Sequence, residues 1–359
     1  MTEKKFIQKV ISAVIVTLII MGILVYLWDP YGYYRIRDNR IMYVASAYID
    51  AGIIKNADYD SAIIGSSMSQ NFNPETFRRC LGINPVKICT GGLTLEQRDL
   101  FYETLERSRK KRMLKKGRYF VEIGLSGFNS EDDDMSDTPL YLYDDNALND
   151  YRYLLGYETW MRAMPVSVGY ALAEKLDIDM DTRHNIESID NVGDWYTRYE
   201  LGRDRVIKKY KNKIDAIAYQ NTEGMYERMC ENVDKKLTGI IDDGNEYVMY
   251  FPPYSVLFWC YAKEAGYADI YLSVKQHILD VLSQYDNVRV YDFQSADFIT
   301  DLDNYRDSSH YGRHISELMA ECFAGDNYLT DEKKAPASAA KLKEMMSEFE
   351  KENESWMKE

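Results

Sequence analysis

At 359 residues, 46% hydrophobic and 28% charged, the chain is long enough for one large α/β domain or a domain with a substantial insertion, and its composition is globular rather than disordered. A formal net charge of −14 excludes the broad cationic face that a nucleic-acid partner needs. Five cysteines, an odd number set mostly among apolar neighbours, read as buried free thiols rather than a disulfide framework or a metal site, and nothing in the chain asks for a metal or a cofactor.

The first element is an apolar helix. Val10 to Trp28, VISAVIVTLIIMGILVYLW, carries no charge over 19 residues, about the length that crosses a ~30 Å hydrocarbon core. It runs on into DPYGYY without a small-residue cleavage site, so it reads as an uncleaved transmembrane anchor at 10–28. Tyr26, Trp28, Tyr31, Tyr33 and Tyr34 then form an interfacial aromatic belt. Residues 1–9 become a short cytoplasmic tail and 29–57 a juxtamembrane segment. Lys4, Lys5 and Lys9 before the helix nearly balance Arg35, Arg37 and Arg40 after it; a short tail inside and a large domain outside is the expected arrangement.

Five brief apolar runs, each closed by Gly, Pro or polar residues, predict strands: SAIIGSS from Ser61, PVKICTGG from Pro85, RYFVEIGLSG from Arg118, EYVMYFPPYS from Glu246 and VRVYDFQ from Val288. Helical spacing of apolar residues marks TLEQRDLFYETLERSRKKRML, YERMCENVDKKLTGIID and IYLSVKQHILDVLSQY between them. The basic run from Arg107 to Arg118 reads as the solvated end of the first of these helices, stopping at Gly117. Alternation of this kind predicts an α/β three-layer sandwich with a mainly parallel five-stranded sheet, over residues 58–129 and 216–325.

Residues 130–215 break the alternation. An acidic SEDDD precedes a stretch rich in Tyr, Trp and Arg without strand signals, which reads as a mostly helical insertion or cap. Its aromatics either pack the insertion or offer a platform to a sugar or lipid. The tail, 326–359, is a charged amphipathic helix with Met345, Met346, Phe349 and Trp356 as apolar members, expected to pack on the domain, the alternative being a partner-binding role.

Ligand sites of open parallel sheets lie beyond the carboxyl ends of the strands. Gly65-Ser66-Ser67 closes the first strand there: Gly65 permits a tight turn, and a following helix would aim its N–H groups at whatever Ser67 touches. Ser67 is thus a candidate nucleophile, the alternative being that Ser66 and Ser67 merely cap that helix. Asp307 and His310, in NYRDSSHYGRHISELMAE, precede a second helix; an Asp three residues before a His can accept its Nδ1–H and leave Nε2 outward, the base a serine needs. As the alternative, Asp307 caps the helix and His310 is a surface residue. Of the other histidines, His184 lies in the insertion, His277 on a helix face and His314 one turn beyond His310. Pro252 and Pro253 end the fourth strand, leaving Tyr254 and Ser255 as candidate pocket residues or as part of a purely structural stop.

In this order the residues resemble the SGNH/GDSL hydrolase superfamily. Gly65-Ser66-Ser67 corresponds to its first block, with Ser67 as nucleophile. TGGLT fits the second, with Gly92 donating to an oxyanion hole. Gly127-Phe128-Asn129-Ser130 matches the third in part, with Asn129 as side-chain oxyanion donor and Ser126 as its rival, and Asp307-x-x-His310 matches the last in full. Ser66 and Ser130 stand where the family has Asp. Within the superfamily the chain is similar to membrane-anchored, extracytoplasmic members such as the D-alanine transfer protein of teichoic-acid modification and the polysaccharide O-acetylation proteins. The resemblance implies a serine esterase or O-acyltransferase in the cell membrane, acting on acyl esters of cell-surface glycans or teichoic acids beside a membrane-bound O-acyltransferase. The altered first and third blocks leave open a non-catalytic glycan-binding or assembly component.

Overall fold

All five predicted runs form strands in the computed structural model, which describes residues 3–36, 42–43, 45–112, 116–130, 135–178, 185–186, 189–195, 199–216 and 222–357. Arg37, Arg40, residues 113–115 of the basic run, 131–134 of the acidic run and His184 lie outside the described residues. The strands are β1 (Met42–Tyr43), β2 (Ser61–Gly65), β3 (Pro85–Cys89), β4 (Arg118–Glu122), β5 (Asn185–Ile186), β6 (Glu246–Phe251), β7 (Val288–Asp292) and β8 (Leu329–Thr330). The helices include α1 (Glu3–Trp28), α2 (Ser46–Asn56), α3 (Pro74–Leu81), α4 (Leu95–Lys111), α5 (Leu140–Tyr143), α6 (Tyr151–Leu154), α7 (Met164–Lys175) and α8 (Arg203–Asp215). They continue with α9 (Met225–Asn232), α10 (Val256–Glu264), α11 (Ala268–Leu282), α12 (Arg313–Cys322) and α13 (Ala335–Glu352).

The main sheet has six strands in the order β3-β2-β4-β6-β7-β8, not the expected five. The sixth, β8, pairs antiparallel with β7 through Val290↔Thr330 and Tyr291↔Leu329, inside a segment expected to be wholly helical. Two residues at a sheet edge carry no apolar run, so sequence pattern is blind to them. The other five strands are parallel throughout, with Ile63 of β2 facing Lys87 on one side and Phe120 on the other. Taken by themselves they run 2-1-3-4-5 in chain order, an order that doubly wound sheets use, with the switch point between β2 and β4.

The chain forms two compact units, Met1–Asp58 with Ser136–Val192, and Tyr59–Met135 with Gly193–Glu359. The stretch read as one insertion therefore divides between them, and none of its described residues forms a strand of the main sheet.

In the first unit, α1 is long and apolar enough to cross a membrane and is almost wholly exposed. The expected aromatic belt is corrected in part. Tyr31 and Tyr33 are buried, in a cluster with Tyr34 and Tyr153, around an Asp29 carboxylate that accepts the N–H groups of Tyr33, Tyr34 and Arg35 and the Tyr153 hydroxyl. These rings pack a core rather than facing headgroups, in a turn where Gly32 takes φ +65°. The insertion aromatics Tyr143 and Tyr153 are likewise buried, so here packing is their role.

In the second unit the sheet buries Ile63, Ile64, Phe120, Val121, Met249 and Phe251. The tail helix α13 docks on this unit through Leu342, Met346 and Phe349, as its amphipathic pattern requires. All five cysteines are free thiols, with Cys89 and Cys260 buried and the other three half-buried.

Candidate active site

Ser67 follows β2 by two residues, and β2 lies next to β4 at the switch point of the sheet. No helix opens at Ser67, contrary to the sequence expectation. Residues 66–72 make hydrogen-bonded turns, Ser69 N to Ser66 O at 3.0 Å and Phe72 N to Ser69 O at 3.1 Å, and the next helix starts only at Pro74 behind an Asn73 cap. Gly65 is needed for space rather than for backbone freedom: a Cβ there would stand 2.1 Å from Ser69 Oγ and 2.7 Å from Glu122 Oε2.

What holds the turn is Glu122, the last residue of β4, which sequence reasoning passed over. Its carboxylate accepts Ser66 N–H at 2.8 Å, Ser66 Oγ–H at 2.5 Å and the Ser69 hydroxyl. Ser69 Oγ in turn lies 2.5 Å from the Tyr250 hydroxyl. Burial pushes the Glu122 carboxyl above its ordinary range, against the Ser66 and Ser69 hydrogen bonds and the charge of His310, which pull it down. From below, the buried Lys87 ammonium donates to the carbonyls of Gln70 and Phe72, at 2.7 and 3.2 Å, and pairs with Asp194. Trp195, the next residue, donates its indole N–H to Ser67 O at 2.9 Å and sets its ring edge-on to His310, with centroids 5.6 Å apart.

The loop carrying Asp307 and His310 reaches the same place. Ser67 Oγ stands 2.9 Å from His310 Nε2, and His310 Nδ1 lies 2.9 and 3.1 Å from the two Asp307 oxygens. The loop is fixed by Asp307 accepting the Ser309 and His310 N–H groups at 3.0 and 2.9 Å. Burial works to raise the Asp307 carboxyl, but the His310 hydrogen bond and charge and those two backbone donors outweigh it, and the group is held well below its ordinary 3.8. A depressed carboxylate stabilises the fold above about pH 4 and loses that contribution as pH falls through its folded value, so at neutral pH Asp307 is ionised and fixes the imidazole tautomer.

A cavity of about 380 Å³ opens on Ser67 and His310. Of the sequence candidates, Ser66, Gly92, Ser126 and Tyr254 line it. Gly92 sits at φ +70°, and among the described residues neither its N–H nor that of Ser67 has a hydrogen-bond partner, so two donors are free near the serine. Phe128 and Phe258 add apolar wall. Two candidates lie outside the cavity lining. Asn129 does not line the cavity: it ends the 3-10 turn Leu125–Asn129, and its Oδ1 accepts from Arg228 Nη2 at 2.9 Å, which fastens that turn to α9. Ser255 is fully buried outside the cavity, where its N–H and Oγ–H both donate to Ser308 O, at 3.0 and 2.8 Å, tying the Pro-Pro exit of β6 to the histidine loop.

Chemically, the arrangement supplies a hydroxyl, a base positioned to take its proton, a carboxylate that orients the base, and spare N–H donors on residues that line the same cavity. No protein-family profile matches the sequence, and no curated protein does.

Proposed function

We propose that the chain is a membrane-anchored serine esterase or O-acyltransferase of SGNH type, with its catalytic unit outside the cytoplasm, acting on acyl esters of cell-surface glycans or teichoic acids. The observation that carries this reading is the continuous line from Ser67 Oγ through His310 to Asp307, at 2.9 Å per step, from residues 243 apart in sequence. The resemblance of the four sequence blocks, the 2-1-3-4-5 order of the parallel strands and the apolar α1 support it.

In the proposed reaction Ser67 Oγ attacks an ester carbonyl while His310 Nε2 takes its proton. The N–H groups of Ser67 and Gly92 receive the oxyanion, and the imidazolium returns the proton to the departing alcohol oxygen as the C–O bond breaks. Water or a glycan hydroxyl, deprotonated by the same histidine, then takes the acyl group from Ser67. Transfer to a glycan beside a membrane-bound O-acyltransferase is the form we favour.

A fluorophosphonate probe on the full chain in membranes tests this. Covalent label on Ser67, absent from Ser67→Ala, is expected; a folded wild-type chain that takes no label would leave the site a binding surface. The corrected placements add a second expectation. Asn129→Ala should change the labelling rate by less than about threefold, since its side chain faces Arg228. Glu122→Gln should slow labelling by about 10²-fold, because an amide must turn an NH₂ towards a serine hydroxyl and loosen the turn that aims Ser67. Equal rates for the two variants would count against Glu122 as a positioning residue.

A further inference from the structure

The unit built on α1 carries apolar side chains that its own core does not use. Leu148 is 87% exposed, and a helical stretch over residues 157–175, with the turn residue that follows it, exposes Tyr157 (73%), Met161 (62%), Leu172 (55%) and Leu176 (66%). Together with Pro165 and Val168 these recur every three or four residues, one continuous stripe. The opposite face, with Thr159, Ala163, Ser167 and Ala173, is buried.

Two contacts fix where this stretch lies along α1. Trp28, its last residue, donates its indole N–H to Ser167 Oγ at 2.8 Å. Leu154 packs on Gly22, its Cβ 3.9 Å from where a Cβ at Gly22 would stand. Gly22 precedes Trp28 by six residues, which is about 9 Å along a helix axis. It falls inside the uncharged run that the anchor reading immerses in hydrocarbon. Between α1 and α6 a groove of about 470 Å³ is walled by Ile15, Leu18, Ile19, Tyr26, Tyr151 and Leu155.

We infer that this unit is embedded in one leaflet as well as anchored across the bilayer: residues 148–155 dip beside the C-terminal third of α1, the stripe from Tyr157 to Leu176 lies on the acyl boundary, and a lipid acyl chain fills the groove. The inference rests on α1 spanning the membrane. Because one wall of the groove is α1 itself, whatever surrounds α1 at that depth also fills the groove, and at that depth it is lipid. Arg152 and Lys175, both exposed, have stems long enough to carry their charge to phosphate headgroups.

The test uses the full chain in vesicles of phosphatidylcholine and phosphatidylglycerol at 3:1, with the photoreactive residue benzoylphenylalanine replacing Ile19, Met161 or Leu172 one at a time. These side chains are exposed, so unchanged thermal melting is the check that each variant folds. Lipid adducts at 161 and 172, in yields within about threefold of those at 19, are expected. No lipid adduct at 19 overturns the membrane anchor itself. Adducts at 19 with none at 161 or 172 overturn the leaflet contact alone, as does crosslinking of those two positions to protein, which would make the stripe a protein interface.

Discussion

Ser67→Ala and His310→Ala are each expected to lower ester turnover by roughly 10⁴–10⁶-fold, and the double variant to be no worse than either single one. The reason is in the geometry. With Ser67 Oγ 2.9 Å from His310 Nε2, the hydroxyl is a nucleophile only while the imidazole takes its proton, so removing either partner removes the same step. Asp307→Asn should cost about 10⁴-fold, since an amide NH₂ facing Nδ1 selects the tautomer that carries its proton on Nε2, towards Ser67. The residual rate of the Ser67 and His310 variants, from the free N–H donors and the cavity, should be the same for both singles and for the double variant. Steady-state turnover of a chromogenic acyl ester, with the melting temperature measured in parallel, checks it; additive losses in the double variant would show that the two residues do not act as one unit.

The largest effect on stability is expected far from the serine. Lys275 of α11 and Asp292 at the end of β7 form an ion pair at 2.6 Å with both side chains almost fully buried. Asp292 also accepts the Ser338 hydroxyl from α13 and the Gln294 N–H at 3.0 Å, and the Lys275 ammonium lies over the Phe251 ring. One carboxylate thus joins a helix, the sheet and the tail. Asp292→Ala strands a buried ammonium, and breaking a buried pair from one side costs about 3–5 kcal/mol. In a unit of this size that is a fall in melting temperature of roughly 10 °C. Lys275→Met combined with Asp292→Leu should recover part of the loss, because apolar groups fill the space without leaving a lone charge. Thermal melting followed by fluorescence measures both, and a single variant melting within 2 °C of wild type would contradict the argument.

The parts of this molecule legible in its sequence are those set by local pattern. Buried parallel strands are short apolar runs with abrupt polar ends, so β2, β3, β4, β6 and β7 were visible, and Asp307-x-x-His310 places two functional groups on one loop. The misses arise where a contact partner is remote in sequence. Glu122 announces itself only as a lone acid at the end of an apolar strand, and its role depends on Ser66 and Ser69, more than fifty residues away. Trp195 reaches Ser67 across 128 residues, and no periodicity in GDWYTRY marks it. Asn129 shows the opposite case: the block fits by spacing, and what the pattern does not reveal is that the side-chain oxygen at the end of a 3-10 turn accepts from Arg228.

The strand order also sets a timetable. Only 19 residues join β2 to β3, whereas 123 separate β4 from its neighbour β6. Closing the longer excursion costs about 1.7 kcal/mol more chain entropy, so the half-sheet β3-β2-β4 assembles first and the other half is added to it. At about 5–20 residues per second, the 243 residues from Ser67 to His310 take roughly 12–50 s to synthesise. Throughout that interval the growing chain has no base beside Ser67, and the serine turn gains Asp194, Trp195 and Tyr250 only on the way. Ser67 therefore meets His310 only after β6 and β7 have both been made.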